Sequence, residues 1–179
     1  MEENIKNAIK KGEEIALKYN PDTLIPFPFE KILKDEGDLK IEISDLLQKR
    51  DDSISGLLAY RKIEGKDKFG IFINNSKSQN RIYFTIAHEL GHYFLHKKKL
   101  IDIGLVIDNG QVLEIFRLDT GLSDEEEIEA NNFAATLIMP ADKVREIWNL
   151  LHDVDECAKF FQVSVLAMSI RLNNLKLID

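Results

Sequence analysis

The chain lacks disulfide pairs, membrane spans and any excess of positive charge, and each absence narrows what it can be. Its 179 residues include one cysteine, Cys157, so no internal disulfide can form and a reducing cytosol is the expected compartment. No apolar run approaches the roughly 20 residues that a transmembrane helix needs. The start, Met1-Glu2-Glu3-Asn4, is polar and acidic, unlike a signal peptide. Lys and Arg number 24 against 31 Asp and Glu, and the resulting formal net charge of −7 opposes association with duplex DNA. No repeat or low-complexity stretch divides the chain, so residues 1–179 read as a single domain able to bury a good core. Asn74-Asn75-Ser76 matches a glycosylation sequon, a coincidence in a chain with no secretion signal.

Histidine is also scarce, at four residues, and two of them stand in His88-Glu89-Leu90-Gly91-His92. Histidines at i and i+4 project from one helical face, so both imidazoles can reach one metal ion. The glutamate between them is no ligand; it stands beside the metal as a base for a water molecule, the arrangement of a zinc peptidase. The surroundings predict a helix: Ser78 is a candidate N-cap, and Ile82, Phe84, Ile86, Ala87, Leu90, Gly91, Phe94 and Leu95 form a broad apolar surface. Lys97, Lys98 and Lys99 read as its basic C-terminal end. Gly91 permits close approach of another backbone or of the metal shell, or simply eases helix packing. A metzincin would carry glycine and histidine three and six residues beyond His92, where this chain has Leu95 and Lys98, so that class is excluded. His96 lies about 12 Å along the axis from His88, too far to share one metal with both histidines, and reads as a residue behind a ligand or at the pocket rim.

The third ligand must come from elsewhere, and a carboxylate on a second helix is the usual solution. The segment from Ser123 to Pro140 fits, with Ser123 capping its start, acidic residues at its N-terminus and Pro140 marking its end. Ala130, Phe133, Ala134, Leu137 and Ile138 define its inward face, which Glu126 and Glu127 both extend. Periodicity alone leaves the two carboxylates as alternatives.

Two stretches carry a resemblance. Arg81 through His96 is similar to the signature of the ImmA/IrrE family of metallo-endopeptidases. Glu127-Ile128-Glu129-Ala130-Asn131-Asn132-Phe133-Ala134-Ala135, with Met139-Pro140 after it, resembles that family's other hallmark. The resemblance implies Glu127 as the ligand, three residues before the Ala-Asn pair, with Glu126 as runner-up. It places Asn131 one turn further on, where it can orient a ligand from behind. It also implies an α+β fold: a mostly helical, zincin-like (gluzincin-like) metallopeptidase core over 1–140, with a small antiparallel sheet beside the HExxH helix. Residues 141–179 would add a helical, helix-turn-helix-like tail packed on that core.

Along the chain, residues 2 to 19 form an amphipathic helix through Ile5, Ala8, Ile9, Ile15 and Leu17, stopped by Asn20-Pro21. A short helix around Phe29–Leu33 and a strand at Lys40–Ile43 follow. Ser55–Arg61 and Lys68–Asn74, separated by Glu64-Gly65-Lys66-Asp67, read as a hairpin. An edge strand there is the candidate docking surface for an extended substrate backbone. Beyond Pro140, helices are expected at Ala141–Leu151 and Asp153–Phe161, then another capped by Ser164. The last two have the look of a helix-turn-helix, in which Arg171 and Lys176 could touch phosphate. The acidic charge opposes that reading, and direct DNA binding is not expected.

The implied chemistry is peptide hydrolysis at Zn²⁺, with Mn²⁺ as the alternative metal, held by His88, His92 and Glu127. The metal lowers the pKa of a bound water toward ~7 and polarises the scissile carbonyl, while Glu89 carries the proton to the leaving amine. Tyr60, Tyr83, Tyr93 and His96 are candidates to stabilise the oxyanion. The resemblance implies a helix-turn-helix repressor of a prophage, mobile element or stress response as the protein substrate. Against this stand two alternatives, an anti-repressor that acts by binding alone and a toxin–antitoxin component.

Overall fold

The computed structural model describes residues 1–103, 107–108, 111–112 and 122–178. Its elements run α1 (Glu2–Tyr19), α2 (Phe29–Asp35), β1 (Leu39–Ser44), α3 (Leu46–Arg50), β2 (Gly56–Ile63), β3 (Lys66–Asn74) and α4 (Gln79–Ile103). They continue with β4 (Ile107–Asp108), β5 (Gln111–Val112), α5 (Asp124–Ile138), α6 (Ala141–Leu151), α7 (Val154–Phe161) and α8 (Val165–Asn174). Among the described residues the fold is α+β and mostly helical, with a three-stranded sheet, a two-stranded β4-β5 sheet and a helical C-terminal end. No helix among the described residues is long and apolar enough to cross a membrane.

Helix α4 is the axis of the molecule. Ser78 caps it, its hydroxyl accepting from the Arg81 N–H at 3.3 Å. Ile86, Ala87, Leu90 and Gly91 are buried along it. The lysine triplet at 97–99 does not end the helix, which runs to Ile103. Leu100 explains why: it is 2% exposed, and burying it sustains one more turn. Against one side of α4 lies α5, so close that a Cβ on Gly91 would stand 3.0 Å from the Cα and carbonyl oxygen of Ala130. Gly91 therefore serves the approach of a second helix backbone. Helix α1 packs across α5 and α4 through Ala8, Gly12, Ile15 and Tyr19. Leu17 does not take part; two residues after Ile15 it lies on the face of α1 opposite the buried stripe and is 72% exposed.

The three-stranded sheet has the order β1-β3-β2 and covers the other side of α4. Strands β2 and β3 are antiparallel, with Leu58 opposite Ile71, while β1 runs parallel to β3, with Ile41 opposite Ile71. The sheet is thus mixed, because α3 carries the chain from the end of β1 back to the far edge of the sheet. The hairpin strands are longer than the sequence suggests. Their turn is Glu64-Gly65, both at positive φ (49° and 76°), as a tight two-residue hairpin turn requires.

The C-terminal helices begin and end close to their expected bounds. Asp153 and Ser164 cap α7 and α8, accepting from the N–H groups of Glu156 and Ala167 at 2.9 and 3.1 Å. Two side chains fasten them to the rest: Asn80 donates to the Val163 carbonyl and Arg171 Nε to the Met139 carbonyl, both at 3.0 Å. Phe161, Met168 and Leu172 belong to the same buried cluster as Leu90, Phe133 and Ile71.

Candidate metal centre

Helices α4 and α5 cross where His88 and His92 face Glu127. The two imidazole Nε2 atoms are 3.0 Å apart, and each lies 3.3 Å from an oxygen of the Glu127 carboxylate. One donor atom from each of the three residues lies within 4.8 Å of the other two. Tetrahedral Zn²⁺ with bonds of about 2.05 Å would separate its donors by about 3.3 Å, close to these spacings.

A single tautomer assignment satisfies every contact behind these nitrogens. His88 Nδ1 lies 3.0 Å from Asn131 Oδ1, which can only accept, so Nδ1 carries the proton and Nε2 is bare. His96 Nε2 donates to Glu129 Oε2 at 3.2 Å, leaving His96 Nδ1 to accept from His92 Nδ1–H at 3.4 Å. His92 Nε2 is then bare as well. Two lone pairs and a carboxylate converge on one point, an arrangement that repels itself until a cation sits there. The titration behaviour agrees in direction. Contacts with His88 and His92 hold the Glu127 carboxyl well below its usual range, against the opposing effect of burial. Burial disfavours the His88 imidazolium, yet Glu127, Glu89 and Asn131 outweigh it and the net shift is upward. Burial, His92 and Lys99 bring His96 down to about 4, so its contact with Glu129 is a hydrogen bond from a neutral ring.

Glu89 is buried at the side of this cluster. Burial raises its pKa, opposed by the positive potential of His88 and His92 and by the Leu58 backbone of β2. Gly56, Leu57 and Leu58 of that strand line the cleft with His88, Glu89, His92 and Glu127. Gly56 is required at this point: a Cβ there would fall 2.3 Å from Thr85 Cγ2 on α4.

The neighbouring carboxylates separate cleanly. Glu126 closes a capping box with Ser123, accepting the Ser123 N–H at 2.7 Å, and pairs with Lys99 at 2.5 Å. Among the described carboxylates, only Glu127 meets both histidines. The Ser-x-x-Glu spacing of 123 and 126 carried that signal in the sequence, since the N3 glutamate of a capping box is committed to the helix end. Glu129 lies outside the residues that sequence reasoning singled out, because its role runs through His96 and depends on the crossing of two helices.

Three of the four oxyanion candidates are engaged away from the cleft. The Tyr83 hydroxyl accepts from the Phe27 N–H at 2.5 Å, roughly 140° around α4 from His88. Tyr93 donates to Glu36 and Asp38, and Tyr60 donates to Asp67. His96 stands behind His92, 6% exposed, rather than at the rim. Arg171, considered as a phosphate contact, is likewise buried.

Comparison with known proteins agrees with this geometry. Residues 56–173 match the sequence model of the peptidase M78 family, the IrrE N-terminal-like domain. This chain belongs to that family. The matched span of the IrrE-like domain runs from Gly56, at the start of β2, into α8, and so contains every residue of the cluster. Metallopeptidase ImmA of Bacillus subtilis (strain 168) is 29% identical over 123 residues, which cover 68% of this chain and 64% of that protein. Among solved structures, a Mycobacterium tuberculosis transcriptional regulator has a similar fold, with a TM-score of 0.58 at 17% identity. The match covers 93% of this chain and 47% of that one. The chain thus matches less than two thirds of the ImmA sequence and about half of the regulator.

Proposed function

We propose that this IrrE-like domain is a zinc-dependent endopeptidase that cleaves a helix-turn-helix transcriptional repressor in the cytoplasm. In this reading His88, His92 and Glu127 hold the metal, Glu89 is the catalytic base, and Asn131 and His96 orient the two imidazoles. The observation that carries it is the convergence of three donor atoms beside a buried carboxylate that is not among them. A structural zinc site is normally closed by four protein ligands, whereas three leave a position for chemistry. The bound ion, Zn²⁺ or Mn²⁺, would supply an acidified water and a polarised carbonyl.

The residues do the rest. Glu89, with its pKa raised by burial, accepts a proton from the attacking water and delivers it to the departing amine. Strand β2 is an edge of the sheet and borders the cleft, so an extended substrate can pair with it and bring its scissile carbonyl to Glu89. The similarity to a metallopeptidase and to the fold of a transcriptional regulator supports the choice of a repressor as substrate. The same reading takes residues 1–179 as one working unit.

The test is co-incubation of the zinc-loaded chain with the helix-turn-helix repressor encoded beside its gene, read by intact mass. Wild type should make one new cut, and Glu89→Gln should bind zinc and make none. A stable complex formed equally by both proteins, without cleavage, would replace the peptidase by an anti-repressor that acts by binding alone.

A further inference from the structure

A groove of about 610 Å³ runs between the first turns of α4, the outer side of α5 and helix α8. Arg81, Phe84 and Asn131 line both this groove and the cavity that holds His88, Glu89 and Glu127, so the two adjoin. The far wall is α8, where Leu166 and Ile170 stand 70% and 53% exposed. One turn apart on α8, these two side chains present an apolar strip to the groove.

At the α8 end lies Arg171, 7% exposed and part of the groove lining. Its Nε donates to the Met139 carbonyl at 3.0 Å. Among the described residues no carboxylate pairs with its guanidinium within 4.0 Å. Glu13 favours its charge only through space, and Arg145 opposes it. Burial brings the guanidinium down to about 10, so it remains a cation at neutral pH. A buried arginine without a counter-ion is costly, and the usual remedy is a bidentate carboxylate. The walls of the groove offer it none.

We infer that this groove seats a segment of the same protein substrate, apolar with one acidic residue, and that Arg171 binds its carboxylate. The inference rests on the peptidase reading for the word substrate, though not for the binding. Arg171 is fastened to Met139, and Glu127 lies twelve residues earlier on α5, a separation of roughly 18 Å along the helix. An extended chain covers that in about five or six residues. The acidic residue therefore stands about that far from the bond cut at the metal, and the apolar side chains between meet Phe84, Leu166 and Ile170.

The probes are an acetylated, amidated octapeptide of leucine and alanine with one central glutamate, and its glutamine twin. Each is titrated into the ¹⁵N-labelled, zinc-loaded full chain carrying Glu89→Gln, which prevents cutting. The glutamate peptide should move the Arg171 Nε–H signal and the amides of α8, half-saturating at least about tenfold below the glutamine twin. Arg171→Met should erase that preference. Should that variant melt early, Leu166→Glu tests the same point from an exposed position, weakening the glutamate peptide about tenfold through repulsion. Equal binding of the two peptides, shifts confined to other faces, or no shift at millimolar peptide would overturn the inference. The readout is independent of cleavage. A glutamate-selective shift in a protein that cuts no repressor would sink the peptidase reading alone, and cleavage without such selectivity would sink the groove alone.

Discussion

The two histidines of the HExxH pair are held by unlike partners. His88 leans on a neutral amide, Asn131, and its side chain keeps 16% exposure toward the groove. His92 is 4% exposed and is backed by a second imidazole, His96, which is in turn backed by the Glu129 carboxylate. A carboxylate acting through a neutral ring makes the ligand nitrogen more basic and fixes its orientation more firmly than an amide does. The buried side of the site is thus built as a fixed post. The groove side, where His88 is backed by one amide, is the less firmly fixed of the two.

That contrast can be broken by mutation. The largest effect should come from His92→Ala, which removes a donor and should lower zinc affinity beyond the ~100-fold that partners behind a ligand are worth. Competition with a chromophoric chelator reads it directly. Next is His96→Leu, which leaves His92 Nδ1–H and Glu129 without partners; zinc affinity should fall toward ~100-fold. Glu129→Gln keeps an acceptor for His96 and should cost nearer ~10-fold. If His96→Leu binds zinc as wild type does, the relay is packing and the contrast disappears. On the groove side, Asn131→Ala should cost about 10-fold, while Asn131→Asp should hold affinity or raise it, because a carboxylate then faces His88. Equal losses in Asn131→Ala and His96→Leu would mean that the two sides do not differ.

The same contrast explains what could be read from the sequence. The HExxH pair, the apolar face of α5 and the capped C-terminal helices follow from spacing within single helices, where periodicity and caps are local. Glu126 and Glu127 were separable in principle, since the capping box commits the first of them. Other features depend on contacts between elements. Helix α4 continues past its lysines because Leu100 finds a buried place, and β1 pairs parallel with β3 because α3, only five residues long, reverses the chain. Glu129 acts through His96 only once two helices cross. The hydroxyls of Tyr60, Tyr83 and Tyr93 are engaged by Asp67, the Phe27 backbone, and Glu36 with Asp38, partners that no helical or strand period announces.

Close packing of α4 on α5 gives a stability test that should follow the metal effects. Gly91→Ala places a methyl 3.0 Å from the Ala130 backbone, which cannot move without moving Glu127 and Glu129 beside it. A loss of about 1–3 kcal/mol is expected in denaturant unfolding of the metal-free chain. Zinc affinity should fall with it, since the donors sit on the two helices being pushed apart. Unchanged stability would show that the helices separate freely, and would remove the premise of a fixed post.

The smallest effect belongs to the opposite face of α4, where Tyr93 and Lys97 meet Asp38 at 2.7 and 2.6 Å. Burial alone would raise the Asp38 pKa, but the hydrogen bonds from Lys97 and Tyr93 outweigh it and the net shift is downward. A carboxyl depressed in the folded state contributes stability that is fully present above its unfolded pKa of about 3.9 and is lost as pH falls through the lower folded value. Asp38→Asn should therefore be less stable than wild type by roughly 1–2 kcal/mol above about pH 5, with Lys97 partly screened by solvent. The gap should narrow as pH falls below about 4 and close only beneath the depressed folded pKa, where wild type loses the same charge. Zinc affinity at pH 7 should not change, because Asp38 and its partners touch none of the three donors. A fall in affinity there would mean that α4 transmits strain from its sheet-facing end to His92, and that the post on the buried side is set by the whole helix rather than by His96 and Glu129.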